Sequence, residues 1–135
     1  MNVIKKIFAF FENRSWLCWA LTVIYMLVIF YISSIPYLPP ELIFGIEASD
    51  LIKHALLYFG FGISLFFSLN SSKIRNSLSL SILLAILYGI SDELHQLFVP
   101  NRTCSIADAV ADAVGATTGI VIVAIIRNSF KHRNR

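Results

Sequence analysis

Charge is scarce in this chain. Asp, Glu, Lys and Arg make up 14% of its 135 residues, while 57% are hydrophobic. Soluble domains carry about 25% charged and about 45–50% apolar residues. A core of this length has no room for the excess, so a single soluble domain is excluded, and the mean hydropathy of +0.74 agrees. The net charge of +3 would by itself admit nucleic acid as a partner. In a membrane chain, however, the positions of basic residues mean more than their sum, and no nucleic acid is expected. Cysteine is almost absent: Cys18 and Cys104 show no metal-ligand spacing. They fall near opposite ends of the topology derived below, too far apart for a disulfide. Proline is confined to Pro36, Pro39, Pro40 and Pro100, where its missing amide hydrogen ends helices. No internal repeat, low-complexity tract or second domain is visible.

Long hydrophobic runs are abundant. A hydrocarbon core of about 30 Å takes about 20 apolar residues in a helix. Four segments qualify, at about residues 15–34, 51–69, 77–99 and 106–126. The first has no charge. The second carries Lys53 and His54 near its start, the third is charged only in its last third, and the fourth only in its first third. The prolines at 36, 39 and 40, the turn Asn70-Ser71-Ser72-Lys73, and the segment Pro100-Asn101-Arg102-Thr103-Cys104 separate them. Ser105 followed by Asp108 fits a capping box that starts the fourth helix. Residues 3–11, with Lys5 and Lys6 among Ile and Phe, predict an interfacial helix. A cleaved signal peptide fits less well, because the first run is too long and no small-residue cleavage site follows it.

Nine of the eleven basic residues fall on one side of a four-helix topology: Lys5, Lys6, Arg14, Lys73, Arg75, Arg127, Lys131, Arg133 and Arg135. The positive-inside rule makes that side the cytoplasm. The expectation is an all-α membrane protein in one domain spanning 1–135. It has four transmembrane helices, both termini cytoplasmic, and a short N-terminal interfacial helix.

Acidic residues are distributed the other way. Glu12 alone is cytoplasmic; Glu41, Glu47, Asp50, Asp92, Glu93, Asp108 and Asp112 fall in outer loops or outer helix thirds. Glu41 and Glu47 are read as solvating the first loop. Asp92 and Asp112 each lie about 10 Å inside a helix end at 1.5 Å per residue. A charge at mid-bilayer costs about 2.5–3.5 kcal/mol on insertion scales, so these short side chains must face the bundle interior, a partner or water.

Helical spacing groups the polar residues. Asp50, His54 and Tyr58 repeat every four positions and share a face. So do Tyr88, Asp92 and Gln96, flanked by Glu93 and by His95, which is left outside the core site. Ser105, Asp108, Asp112, Gly115 and Gly119 line the fourth helix, its glycines allowing close backbone approach. Three polar faces therefore open at one level in the outer half of the membrane. Asp50, Asp92, Glu93, Asp108 and Asp112 cannot all ionise unpaired in a low-dielectric site. Either some stay protonated, or a divalent cation such as Mg²⁺, Mn²⁺ or Ca²⁺ binds, with Asp92, Glu93 and Asp112 as its candidate ligands. A histidine ligand would also admit zinc. Each feature has a plainer alternative: a structural Asp50–His54 pair, an Asp92-Glu93 pair balanced by Arg102, and glycines that serve packing alone.

These residues resemble the VanZ-like family. The resemblance rests on Asp50, His54 and Tyr58, then on the string from Asp92-Glu93 through Gln96, Phe98 and Pro100 to Arg102, then on Asp108, Asp112, Gly115 and Gly119. Its core covers about residues 50–119. Asn101 stands where the family often has Gly, and Leu51 where it often has Lys; Asn tolerates the left-handed conformation, so the turn survives. The resemblance implies a multi-pass protein of the bacterial cytoplasmic (inner) membrane, associated with reduced susceptibility to teicoplanin. By analogy it also implies a membrane enzyme that processes lipid head groups.

The reading favoured is action on the phosphate head group of a phospholipid or polyprenyl-linked cell-envelope precursor at the outer leaflet, as a head-group transferase or phosphoester hydrolase. His54 is nucleophile or general acid/base, oriented by Asp50. Arg102 holds the phosphate, Asp92, Glu93 and Asp112 hold a cation or activate the attacking hydroxyl, and Gln96 and Tyr58 supply hydrogen bonds. Asp108 and Asp112 complete the binding face. Two other readings stay open: a non-catalytic lipid- or drug-binding or transport protein, and a structural partner that shields wall precursors.

Overall fold

The computed structural model describes residues 3–36 and 50–132, the side chains of residues 131 and 132 excepted. It is all-helical. Helix α1 is Val3–Glu12, α2 Ser15–Ser33, α3 Asp50–Ser71, α4 Ser77–Gln96 and α5 Ile106–His132. Helices α2 to α5 are each long and apolar enough to cross a membrane. The four expected spans match them closely. α4 stops three residues earlier than expected and α5 runs six residues further, one and a half turns beyond the apolar stretch. The loop call covering Pro39, Pro40, Glu41 and Glu47, and the tail residues Arg133 and Arg135, lie outside the described residues.

The bundle is organised around α3, which packs against each of the other four helices. Its closest partner is α5, for a reason written in small residues. A Cβ at Gly115 would run into the carbonyl of Ala55, one at Gly119 into that of Phe59, and one at Gly62 into that of Ala116. Helices this close gain dispersion contacts that lipid tails cannot replace. Tyr58, Phe61, Leu65, Phe66 and Leu69 of α3 form the core with Ile29, Ala85, Ala116, Ile120 and Val123. The outward faces are apolar too: Leu27 is 62% exposed and Ile24 56%. Such a surface would be an aggregation hazard in water, and it is the composition that acyl chains require.

Several hydroxyl groups inside the bundle bond to one another or to backbone. Thr22 meets Ser64 at 2.6 Å and Ser68 at 2.8 Å. The Tyr25 hydroxyl donates to the Leu57 carbonyl at 2.9 Å, and that of Tyr88 to the Met26 carbonyl at 2.7 Å. The turn after α3 ends it with the Ile74 amide on the Leu69 carbonyl at 3.1 Å and Lys73 at φ 56°, the bond that closes a Schellman motif.

At the end of the bundle shared by α1 and the C-terminus of α5, the α1 helix does more than lie on a surface. Phe8 is buried against Phe67 and Phe130, at 5.1 and 5.8 Å between ring centroids. Glu12 pairs with Arg127 at 2.6 Å and accepts from Asn70 at 3.3 Å. This clamp accounts for the extra length of α5: its last turns pack on α1 instead of ending with the hydrocarbon.

Candidate functional site

The polar residues gather at the opposite end, where α2 and α4 finish and α3 and α5 begin. Each is delivered by local geometry. Asn101 sits at φ 62°, the left-handed turn that its short polar side chain tolerates, and this turn follows α4 at once and presents Arg102. The Ser105 hydroxyl accepts the Asp108 amide at 3.3 Å, which is one half of the expected capping box. The other half is taken from a different helix: the Ser105 amide donates to Glu93 Oε2 at 2.9 Å. Glu93 of α4 therefore helps to start α5.

A cavity of about 270 Å³ opens here, walled by Ser33 and Pro36, by Asp50, Lys53, His54, Leu57 and Tyr58, by Asp92 and Gln96, and by Asn101, Arg102, Thr103 and Asp108. Of the residues named from sequence, Asp50, His54, Tyr58, Asp92, Gln96, Arg102 and Asp108 share this one wall. Glu93 and Asp112 do not line it; they stand behind His54, both buried.

The pairings differ from those expected. His54 is not held by Asp50. Its Nδ1 lies 2.9 Å from Asp112 Oδ1 and 3.9 Å from Glu93 Oε1, and its side chain is 15% exposed. Asp50 is 82% exposed and binds Lys53 Nζ at 3.1 Å. The reason is helix position. Asp50 is the first residue of α3, where its side chain reaches solvent, whereas the close α3–α5 seam brings Asp112 directly onto His54. The expected cation ligands also divide. Asp92 Oδ2 accepts the Ser33 hydroxyl at 2.7 Å, and Gln96 donates to the same hydroxyl at 3.4 Å. Glu93 and Asp112 come together with His54, their ligand atoms within 4.8 Å of one another. Arg102 forms no ion pair with Asp92 or Glu93 among the described residues.

Among the described residues, four buried side-chain polar atoms have no hydrogen-bond partner at ordinary geometry: Tyr58 Oη, Glu93 Oε1, Arg102 Nε and Asp112 Oδ2. Buried polar groups in proteins are nearly always satisfied, so these atoms mark where a ligand, water, ion or further chain could bind. Two of them, on Tyr58 and Arg102, belong to cavity-wall residues. The other two are carboxylate oxygens beside His54, and with its nitrogen they offer a divalent cation two hard donors and one imidazole.

Chemically, the arrangement offers an imidazole and fixed positive charge. With Asp112 ionised and His54 neutral, the bond to Asp112 puts the hydrogen on Nδ1 of His54 and leaves Nε2 with a lone pair. Arg102 and Lys53 bring positive charge to the cavity wall. Gly89 lets α4 come close: a Cβ there would stand 3.1 Å from Cβ of Asp112 and 3.4 Å from the ring of Tyr58.

Sequence reasoning missed Ser33, the partner of Asp92, and Ser34, whose hydroxyl meets Nε2 of His95 at 2.9 Å while Phe30 covers the imidazole at 4.5 Å. Nothing in an isolated serine at a helix end signals such a role. Gly89 carried a usable signal, three residues before Asp92 and one after Tyr88.

A family model described as VanZ/LLP1 matches residues 2–127, nearly the whole chain. No curated protein and no solved structure matches.

Proposed function

The chain belongs to the VanZ/LLP1 family, and on that premise we propose that it is a membrane-embedded enzyme acting on the phosphate head group of a phospholipid or polyprenyl-linked cell-envelope precursor. The observation that supports this most is a buried carboxylate–imidazole pair, Asp112–His54 at 2.9 Å, set beside a polar cavity that also holds Arg102 and Lys53. A phosphate in the cavity would meet Arg102, whose planar fork suits two phosphate oxygens. His54 Nε2 takes the proton of an incoming hydroxyl or water. That oxygen bonds to phosphorus, the bond from phosphorus to the leaving oxygen breaks, and the leaving oxygen receives the proton. Asp112 stabilises the imidazolium formed in between. Tyr58 and Gln96 donate to the phosphate, and Lys53 with Asp50 sets the charge at the cavity mouth.

A divalent cation is part of the proposal. His54, Glu93 and Asp112 would hold it only when Nδ1 of His54 gives up its hydrogen, a state distinct from the proton-transfer step above, and it would supply positive charge behind the cavity in place of the imidazolium. The excess of basic residues at the α1–α5 end supports a bacterial cytoplasmic membrane with both termini inside and the cavity at the outer leaflet. Altered processing of a lipid-linked wall precursor there would connect the chain to the teicoplanin phenotype that its VanZ-like resemblance implies.

The test is head-group release or exchange by purified protein in vesicles of phospholipid or polyprenyl phosphate, with and without Mg²⁺ or Mn²⁺. Turnover lost in His54→Ala and Asp112→Asn is the expected result. Absence of turnover in the native protein, together with equal teicoplanin susceptibility of cells carrying native or His54→Ala chains, refutes the proposal.

A further inference from the structure

Below the polar cavity, a second hollow runs down the seam of α2 and α3. Its volume is about 590 Å³, and Leu57, Ile63 and Phe67 of α3, Leu21 and Ile24 of α2, and Phe11 of α1 shape it. Leu57 belongs to both walls, so the polar cavity and the apolar groove adjoin at that residue. The groove presents hydrocarbon because its polar atoms are already used: Tyr25 donates to the Leu57 carbonyl, and Ser64 is bonded to Thr22.

Length identifies the occupant. Leu57 is seven residues below Asp50, about 10 Å along α3, and Phe67 lies about 15 Å further down. The two stretches together make about 25 Å of a hydrocarbon core about 30 Å thick. The groove ends against Phe11, at the opposite interface. A diacyl lipid anchored by its head group in the cavity ends near the bilayer midplane, about 15 Å down, and would bring two chains to a single groove. We infer that the groove seats the one long chain of a polyprenyl phosphate whose phosphate occupies the cavity above, so that substrates are selected by chain length as well as by head group. The inference rests on the head-group reading and chooses between the two lipid classes it admits.

Leu21 is 43% exposed at the bundle surface, in the lower groove and away from the core. A Leu21→Trp side chain would fill that lower half without crowding the interior. Native mass spectrometry of detergent-purified protein would compare a long-chain polyprenyl monophosphate, farnesyl monophosphate and dipalmitoyl phosphatidate. The native chain should prefer the long polyprenyl to the farnesyl probe by at least about tenfold, given the apolar area involved. Leu21→Trp should erase that preference and leave farnesyl binding unchanged, with Ile24→Trp as an independent plug. An unaltered thermal unfolding midpoint would show that both variants fold. Equal binding of the two isoprenoids, or no effect of either plug, overturns the inference. It leaves the head-group reading standing, provided Arg102→Ala still weakens both probes. Phosphatidate binding as tight as the polyprenyl probe and equally sensitive to the plugs overturns the single-chain assignment. Absence of binding for all three probes overturns both readings.

Discussion

Which acid holds His54 can be decided by a double-mutant cycle, and the two candidates give very different numbers. Asp112 is fully buried and its Oδ1 lies 2.9 Å from Nδ1. A hydrogen bond to an ionised group contributes about 1.5–3 kcal/mol, and a buried donor left alone costs about 1–3 kcal/mol. Asp112→Ala should therefore destabilise the bundle by about 2–4 kcal/mol, with about 2 kcal/mol of it coupled to His54. Asp50 is 82% exposed and bonded to Lys53. An exposed pair of that kind contributes about 0–1 kcal/mol, so coupling of Asp50→Ala to His54→Ala should stay below about 0.5 kcal/mol. The measurement is thermal or denaturant unfolding of single and double variants in one detergent. Nitrogen-15 NMR of the imidazole adds a second readout, with the hydrogen on Nδ1 in the native chain and in Asp50→Asn, and a redistributed tautomer in Asp112→Asn. In a carboxylate–imidazole pair that serves catalysis, the Asn variant loses about 10³- to 10⁴-fold in turnover while the fold survives. Coupling of Asp50 to His54 as large as that of Asp112 would refute the reasoning, because it would mean that the first turn of α3 folds back over the cavity.

Other consequences are as specific. Arg102→Lys keeps the charge but loses the planar fork, so phosphate affinity should fall about tenfold while the unfolding midpoint holds; unchanged affinity would remove Arg102 from the site. Gly89→Ala places a methyl 3.1 Å from Cβ of Asp112; overpacking of this kind costs about 1–3 kcal/mol, and turnover should drop more than stability. Gly115→Val drives its side chain into the Ala55 backbone, so the α3–α5 seam should open and the protein should fail to fold or lose several kcal/mol. Manganese bound at the buried trio should be visible by electron paramagnetic resonance, lost in Glu93→Gln and Asp112→Asn and retained in Asp92→Asn.

The sequence made the helices legible because hydrophobic length and charge position are one-dimensional signals. Residues 15–34 and 51–69 were bounded by polar turns, and the structure moves those limits by only a few residues. The convergence of Asp50, His54, Asp92, Gln96 and Arg102 on one level followed from counting residues to helix ends. Pairing did not follow, because it depends on rotation of one helix about another. Asp50 and His54 share a face of α3, yet that fact says nothing about whether α5 comes close enough to offer a better acid. The glycines at 115 and 119 permit that approach, but their spacing alone signals packing and does not name the partner it delivers. In the same way, residues 3–11 gave an amphipathic helix. That Phe8 enters the bundle depends on a slot between Phe67 and Phe130, far apart in the chain.

The placement of the acids also explains how a membrane bundle can hold them without spending its cations. Glu93 accepts the amide of Ser105, Asp108 sits in the first turn of α5, and Asp112 lies one turn deeper. Glu93 and Asp108 are within reach of the positive end of the α5 dipole, which falls off within the first turn, while Asp112, deeper in the helix, is met by His54 instead. The helix start thus offsets part of the cost of burying carboxylates, a role that lysine or arginine would otherwise fill. Among the described residues no acid satisfies the buried Nε of Arg102, which under the proposed function would leave it for a phosphate. The same economy links fold and chemistry, because Glu93 both starts α5 and faces His54. A change that moves Glu93 to improve the cap at Ser105 therefore also shifts a carboxylate 3.9 Å from His54, so under the proposed mechanism stability and turnover should change together at this junction.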